Sequence, residues 1–232
     1  MTSQTLNIIY EDNHVIVINK SASEIVQGDK TGDETLPDRI KAYLKEKYDK
    51  PGNVFCGVVH RLDRPTSGAV VFARTSKALE RLNLQFRDKE TNKVYWAIAE
   101  KRPNNNEGML INFLKKNEKQ NKSYVHSTEV PGSKKAILSY KYLLSSDRYH
   151  LLEITLETGR HHQIRCQLAA IGCPIKGDVK YGAKRPNTDG SISLHARYLS
   201  FIHPTTKEKM EFTAPVPDDA VWKFFENAMC NN

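Results

Sequence analysis

The chain lacks the features that would mark a secreted or membrane-spanning protein. It holds four cysteines in 232 residues, Cys56, Cys166, Cys173 and Cys230, dispersed and with no Cys-x-x-Cys pair. A disulfide framework in a chain this long would be unusual, so reduced thiols and a cytoplasmic setting are expected. No stretch approaches the roughly 20 apolar residues of a membrane span. From Met1 to Asp12 there is neither a basic segment nor a long apolar run, so no signal peptide is expected. Repeats, low-complexity tracts and a dividing linker are also lacking, and one domain over residues 1–232 is expected.

What the chain does carry is positive charge. Lys and Arg number 35 against 27 Asp and Glu, a formal net charge of +8. Such a surplus suits a polyanionic partner, because each phosphate neutralised by Lys or Arg releases counterions. It equally suits a surface selected for solubility alone. Hydrophobic residues make up 39% of the chain, enough for a globular core and too many for a disordered one.

Local patterning divides the chain into short elements. Ile8 to Tyr10 and Val15 to Asn19 read as an opening hairpin. Leu36, Ile40 and Leu44 have helical spacing over 36–48, and Ala69 to Ala73 is a continuous apolar run suited to a buried strand. Ser76 is the expected cap of a helix whose apolar face is Leu79, Leu82 and Phe86. Strands are expected at Lys93–Ala99, Ala136–Leu144, Tyr149–Leu156, Leu194–Phe201 and Met210–Thr213. A helix from about Arg160 or His161 carries Ile164, Leu168 and Ile171 and stops at Gly172. A last helix is expected behind Asp218 as its cap, with Val221, Trp222, Phe225 and Met229 inward. Lys115, Lys116, Lys119 and Lys122 surround a hairpin ending near Val125, which reads as a solvated charged face or as a flap facing RNA. Strands outnumber helices and few strand–helix–strand crossovers occur. The expected fold is α+β, on a mixed, mostly antiparallel sheet with flanking helices.

One segment concentrates chemistry. His60-Arg61-Leu62-Asp63-Arg64-Pro65-Thr66-Ser67-Gly68 sets a carboxylate between two arginines on a loop between strands. Flanking arginines favour an ionised Asp63 and can anchor a phosphate. The same residues also read as an ordinary ion pair in a surface turn.

The string resembles the signature of the RluA-type RNA pseudouridine synthases, HRLDxxTSG, with every fixed letter present. Lys93-Val94-Tyr95-Trp96-Ala97 is similar to the family's KxYxA strand. Thr158-Gly159-Arg160-His161-His162-Gln163-Ile164-Arg165 is similar to its TGRxHQIR segment. Gly172-Cys173-Pro174-Ile175-Lys176-Gly177-Asp178 and Tyr181-Gly182 look like its continuation, and Leu194-His195-Ala196 with Phe212-Thr213-Ala214-Pro215 like its closing motifs. The matches keep the family's order from about Ile8 to Pro217.

The resemblance implies an enzyme that cuts the bond from ribose to uracil N1, turns the base and rejoins it through C5. No metal and no cofactor is implied. Asp63 matches the family's essential carboxylate. Arg165 matches the arginine that pairs with it, though by spacing alone it is a helix-surface charge. Tyr95 matches the tyrosine that packs on the target uracil, though by spacing it is a core aromatic of a strand. Arg61 either holds the space left by a flipped uridine or anchors a phosphate. Leu194 and His195 are expected along the pocket floor. The implied partner is ribosomal or transfer RNA, read as a looped or splayed strand, with no membrane role and a monomeric state. Many relatives carry an N-terminal S4-type domain, and none is expected here.

Departures are few. Where the family has Lys-Pro-x-Gly, this chain has Lys20-Ser21-Ala22-Ser23, without the rigid Pro or the permissive Gly. Gln167 stands where His is common, and His161-His162 replaces Thr-His. Two other readings compete. His162 and Cys166 at i, i+4, followed by Cys173, suggest a zinc site that lacks its fourth ligand. A non-catalytic RNA-binding protein that kept the fold would suit the altered loop.

Overall fold

The computed structural model describes residues 6–28 and 32–230, so the first five residues, part of the N-terminal signal reading, lie outside it. In chain order the elements begin β1 (Ile8–Glu11), β2 (Val15–Lys20), α1 (Leu36–Lys47), β3 (Gly57–Val58), β4 (Ser67–Ala73) and α2 (Ser76–Arg87). Then follow β5 (Asn92–Ala99), β6 (Glu107–Asn117), β7 (Lys122–His126), β8 (Lys134–Ser145) and β9 (His150–Leu156). The chain closes with α3 (Gln163–Ala170), β10 (Leu194–Ile202), β11 (Lys209–Thr213) and α4 (Ala220–Cys230). The class is α+β with mostly antiparallel pairing, as the patterning predicts.

Two compact units divide the chain, residues 1–92 with 196–215, and residues 93–195 with 216–232. In the first, strands run in the order β1-β2-β4-β10, with β3 added on β4 and β11 on β10. Every residue of β4 is buried, which accounts for its unbroken apolar run. Val15, Val17, Val71, Leu82, Phe201 and Phe212 form its core, and Leu79 and Phe86 of α2 pack against it. In the second unit the order is β5-β9-β8-β6-β7, antiparallel throughout. There α4 lays Trp222 and Phe225 on Trp96, Ile98 and Leu151. On α3, Cys166 joins Leu114, Ala136 and Tyr181.

Three helix starts differ from the sequence reading. The cap of α2 is Thr75, whose extended backbone (φ −139°, ψ 154°) lets its Oγ1 accept from Ala78 N–H at 3.1 Å. Ser76 is already inside the helix. At α4 the cap is Asp219, whose Oδ1 accepts from Val221 and Trp222 N–H at 2.9 and 3.2 Å, in place of Asp218. The third helix begins only at Gln163, because His162 is left-handed at φ 53°.

Candidate active site

The Asp63 loop runs from β3 into β4 within the first unit. His60 opens it, with Nε2 accepting from Val71 N–H at 3.2 Å and its ring stacked on Phe86 at 4.7 Å. Thr66 N–H donates to Asp63 O at 3.0 Å and closes the turn. Gly68 ends it at φ +118°, where an added Cβ would fall 2.4–2.7 Å from the backbone of Ala196. Only glycine allows that approach.

Beneath the loop lies Lys20, fully buried at the end of β2. Its Nζ donates to the backbone oxygens of Ser21, Arg64 and Thr66 at 2.9, 3.1 and 2.7 Å. Burial pushes the ammonium down to about 8, against the pull of the Glu24 and Asp63 carboxylates. Two of these carbonyls tie the C-terminal flank of Asp63 to one buried cation, and the third ties the Ser21 loop to it. Ser23 takes φ 74° and donates its N–H to Arg64 O at 3.0 Å, so the altered loop reaches a glycine-like conformation without glycine. Asp63 itself is half-buried. Of its neighbours, exposed Arg61 bonds Gln27, and Arg64 pairs with Asp33 at 2.6 Å.

Tyr95, Arg165, Leu194 and His195 belong to the second unit. All four are buried. Tyr95 sits on β5 opposite Ile154 of β9. Arg165, early in α3, makes a two-pronged pair with Asp178, Nε to Oδ2 at 2.7 Å and Nη2 to Oδ1 at 2.8 Å. Its guanidinium also lies 5.1 Å from the Tyr181 ring centre. The Tyr181 hydroxyl accepts from Ser123 N–H at 2.8 Å and has its proton left for His162 Nδ1, 2.9 Å away. Burial, with Arg165 nearby, pushes His162 down to about 2 and so keeps it neutral. His195 lies 5.7 Å from the Trp222 ring.

Three residues here carry no role in the sequence reading. Asp178 and Tyr181 stand inside a recognisable motif, which was the available signal. Lys20 heads the departing motif, and its burial follows from carbonyls 44 and 46 residues further along the chain. Among the described residues no group of three or more His, Cys, Asp or Glu is placed to hold a metal. His162 bonds Tyr181, and Cys166 Sγ faces Gln163 O at 3.3 Å.

A family model described as RNA pseudouridylate synthase matches residues 14–170. The chain belongs to that family. As an RNA pseudouridine synthase it is an isomerase that acts on RNA. It is 34% identical over 217 residues to the uncharacterised RNA pseudouridine synthase YlyB of Bacillus subtilis, covering 92% of this chain and 70% of that one. It is 31% identical over 224 residues to the ribosomal large subunit pseudouridine synthase D of Zymomonas mobilis, again 92% and 70%. The fold matches human RNA pseudouridylate synthase domain containing 4 with a TM-score of 0.79 at 23% identity, covering 94% of this chain and 92% of that one.

Proposed function

We propose that the enzyme isomerises specific uridines of ribosomal or transfer RNA, with Asp63 as its catalytic carboxylate. The observation that carries this is the buried Lys20 cage, which fixes the chain directly after a half-buried Asp63. A loop held in this way preorganises a reacting group. The relatives named for the large ribosomal subunit support ribosomal RNA as substrate.

Tyr95 and Arg165 act with Asp63 in this reading, through their match to the family's motifs. Arg165 supplies a permanent positive charge for the carboxylate, and Tyr95 supports the uracil while the C5 proton leaves. Arg61 contacts RNA, and Leu194 and His195 line the floor. The reaction breaks one bond from C1′ to N1, forms one from C1′ to C5, and moves one proton from C5 to N1. Atoms and electrons balance within the nucleotide, so the chemistry calls for no redox partner or group donor. We further place the enzyme in the cytoplasm as a monomer, in keeping with its four unpaired thiols.

Asp63→Ala tests the assignment. Pseudouridine formation falls to background, while RNA affinity stays within a few-fold. Mapping pseudouridine in total RNA with and without the gene identifies the substrate. If the wild-type protein forms pseudouridine in no cellular RNA, the non-catalytic RNA-binding reading replaces this one.

A further inference from the structure

The second unit holds a cleft of about 880 Å³ apart from the residues assigned above. Its place follows from alternation along β5. Trp96 and Ile98 point into the cluster closed by Trp222 and Phe225 of α4, so Tyr95 points to the other face. Trp222 and Tyr149 border the cleft, which therefore opens on the α4 side.

Its cations are Arg148, Lys176, Lys184 and Arg185, and its carboxylates are Glu100, Asp189, Asp218 and Asp219. The numbers balance, but the partners do not. Both Glu100 oxygens accept from Lys184 backbone N–H, at 3.1 and 3.2 Å. Asp189 accepts from the N–H and hydroxyl of Ser191 at 3.0 and 2.6 Å. Asp219 caps α4, and Asp218 pairs with Lys223, which is outside the lining. Arg148, Lys184 and Arg185 are exposed and have no carboxylate partner among the described residues. Lys176, which shares the neighbourhood of Asp189, donates to the neutral Asn187 Oδ1 at 2.7 Å.

The floor is fixed. Asn187 Nδ2 donates to Ser191 and Ser193 hydroxyls at 3.1 and 3.3 Å. Gly177 beside it has φ +86°, and an added Cβ would fall 2.7 Å from the Asn187 amide. Small-molecule pockets are mostly apolar and enclosing. A polar lining with outward cations suits the phosphates of a nucleic-acid strand instead.

We propose that this cleft is a second RNA-contact surface, which takes backbone phosphates of RNA flanking the target uridine. The proposal rests on the reading that the enzyme acts on uridines of ribosomal or transfer RNA.

The test uses the full chain carrying Arg148→Glu, Lys184→Glu and Arg185→Glu together. Binding is measured across a salt series, to a long ribosomal RNA transcript and to a short uridine-bearing hairpin. Expected is a loss of about tenfold or more on the long RNA near 0.1 M salt, with the log–log salt slope reduced by about 2. The hairpin stays within about twofold. Unchanged long-RNA affinity and slope, with wild-type melting, overturns the proposal. Should the triple variant fail to fold, Arg185→Gln at its exposed site reads the same slope, and a reduction of about 1 is expected; no reduction overturns the proposal. Saturable ATP binding lost in the variant, with RNA binding unchanged, assigns the cleft to a free nucleotide and also overturns it. A wild-type protein that forms no pseudouridine, yet shows the slope change, refutes the catalytic reading and still supports this surface.

Discussion

Lys20 in the first unit and Arg165 in the second are both buried cations, yet they are held by different chemistry. Lys20 is caged by three neutral carbonyls. Arg165 is clamped by both oxygens of Asp178. A guanidinium against a carboxylate keeps its charge at any ordinary pH. An ammonium among carbonyls does not, and burial has already brought Lys20 to about 8. The comparison separates two tasks, a fixed charge in the second unit and a tether with labile charge in the first.

The largest expected effect breaks the clamp. Asp178→Ala removes both hydrogen bonds of the clamp on buried Arg165 and destabilises by about 3–5 kcal/mol. Lys20→Met removes the charge with the hydrogen bonds and destabilises by about 1–3 kcal/mol. Urea denaturation of both variants decides. Equal losses, or the reverse order, would mean that clamp and cage are energetically alike.

The next effect, on the order of 3 kcal/mol for each limb, is a pH dependence of opposite reach in the two units. Between about 8 and 10.5 the unfolded Lys20 holds a proton that the folded one has lost, so stability rises with pH across that window. Below 6.5 the unfolded His162 gains a proton that the folded one refuses down to about 2, so stability falls as pH drops. Lys20→Met flattens the alkaline limb and His162→Gln the acid limb, in unfolding free energies measured from pH 4 to 10.5. A limb that persists in its own variant belongs to other groups.

The smallest effects concern helix starts. Thr75→Ala costs about 1 kcal/mol and Ser76→Ala a few tenths; Asp219→Ala similarly exceeds Asp218→Ala. Melting temperatures of the four variants check the order.

These caps also mark how far the sequence can be read. The opening hairpin, α1 and β4 are legible because apolar spacing is local and each element buries the face its pattern presents. Neighbouring Thr75 and Ser76 are both competent caps, and only the backbone angle at Thr75 chooses between them. His162 shortens α3 by its left-handed backbone, while Tyr181, nineteen residues on, bonds its ring. The Asp63 and Arg165 motifs stand out by residue order. The Asp178 clamp and the Lys20 cage depend on partners brought near by the fold, which spacing does not encode.

Gly68 pressed on the backbone of Ala196 has a consequence for how the molecule is made. The chain passes between its two units three times, and the first unit is completed only by residues 196–215. A ribosome synthesises the Asp63 loop and β4 early, and β10, the strand beside β4, comes after nearly all of the second unit. Until Ala196 emerges, the nascent motif has no wall on that flank, and an interrupted translation product carries Asp63 without the finished mould of its loop. The loop's final shape therefore arrives late in synthesis, once β10 has been laid beside β4.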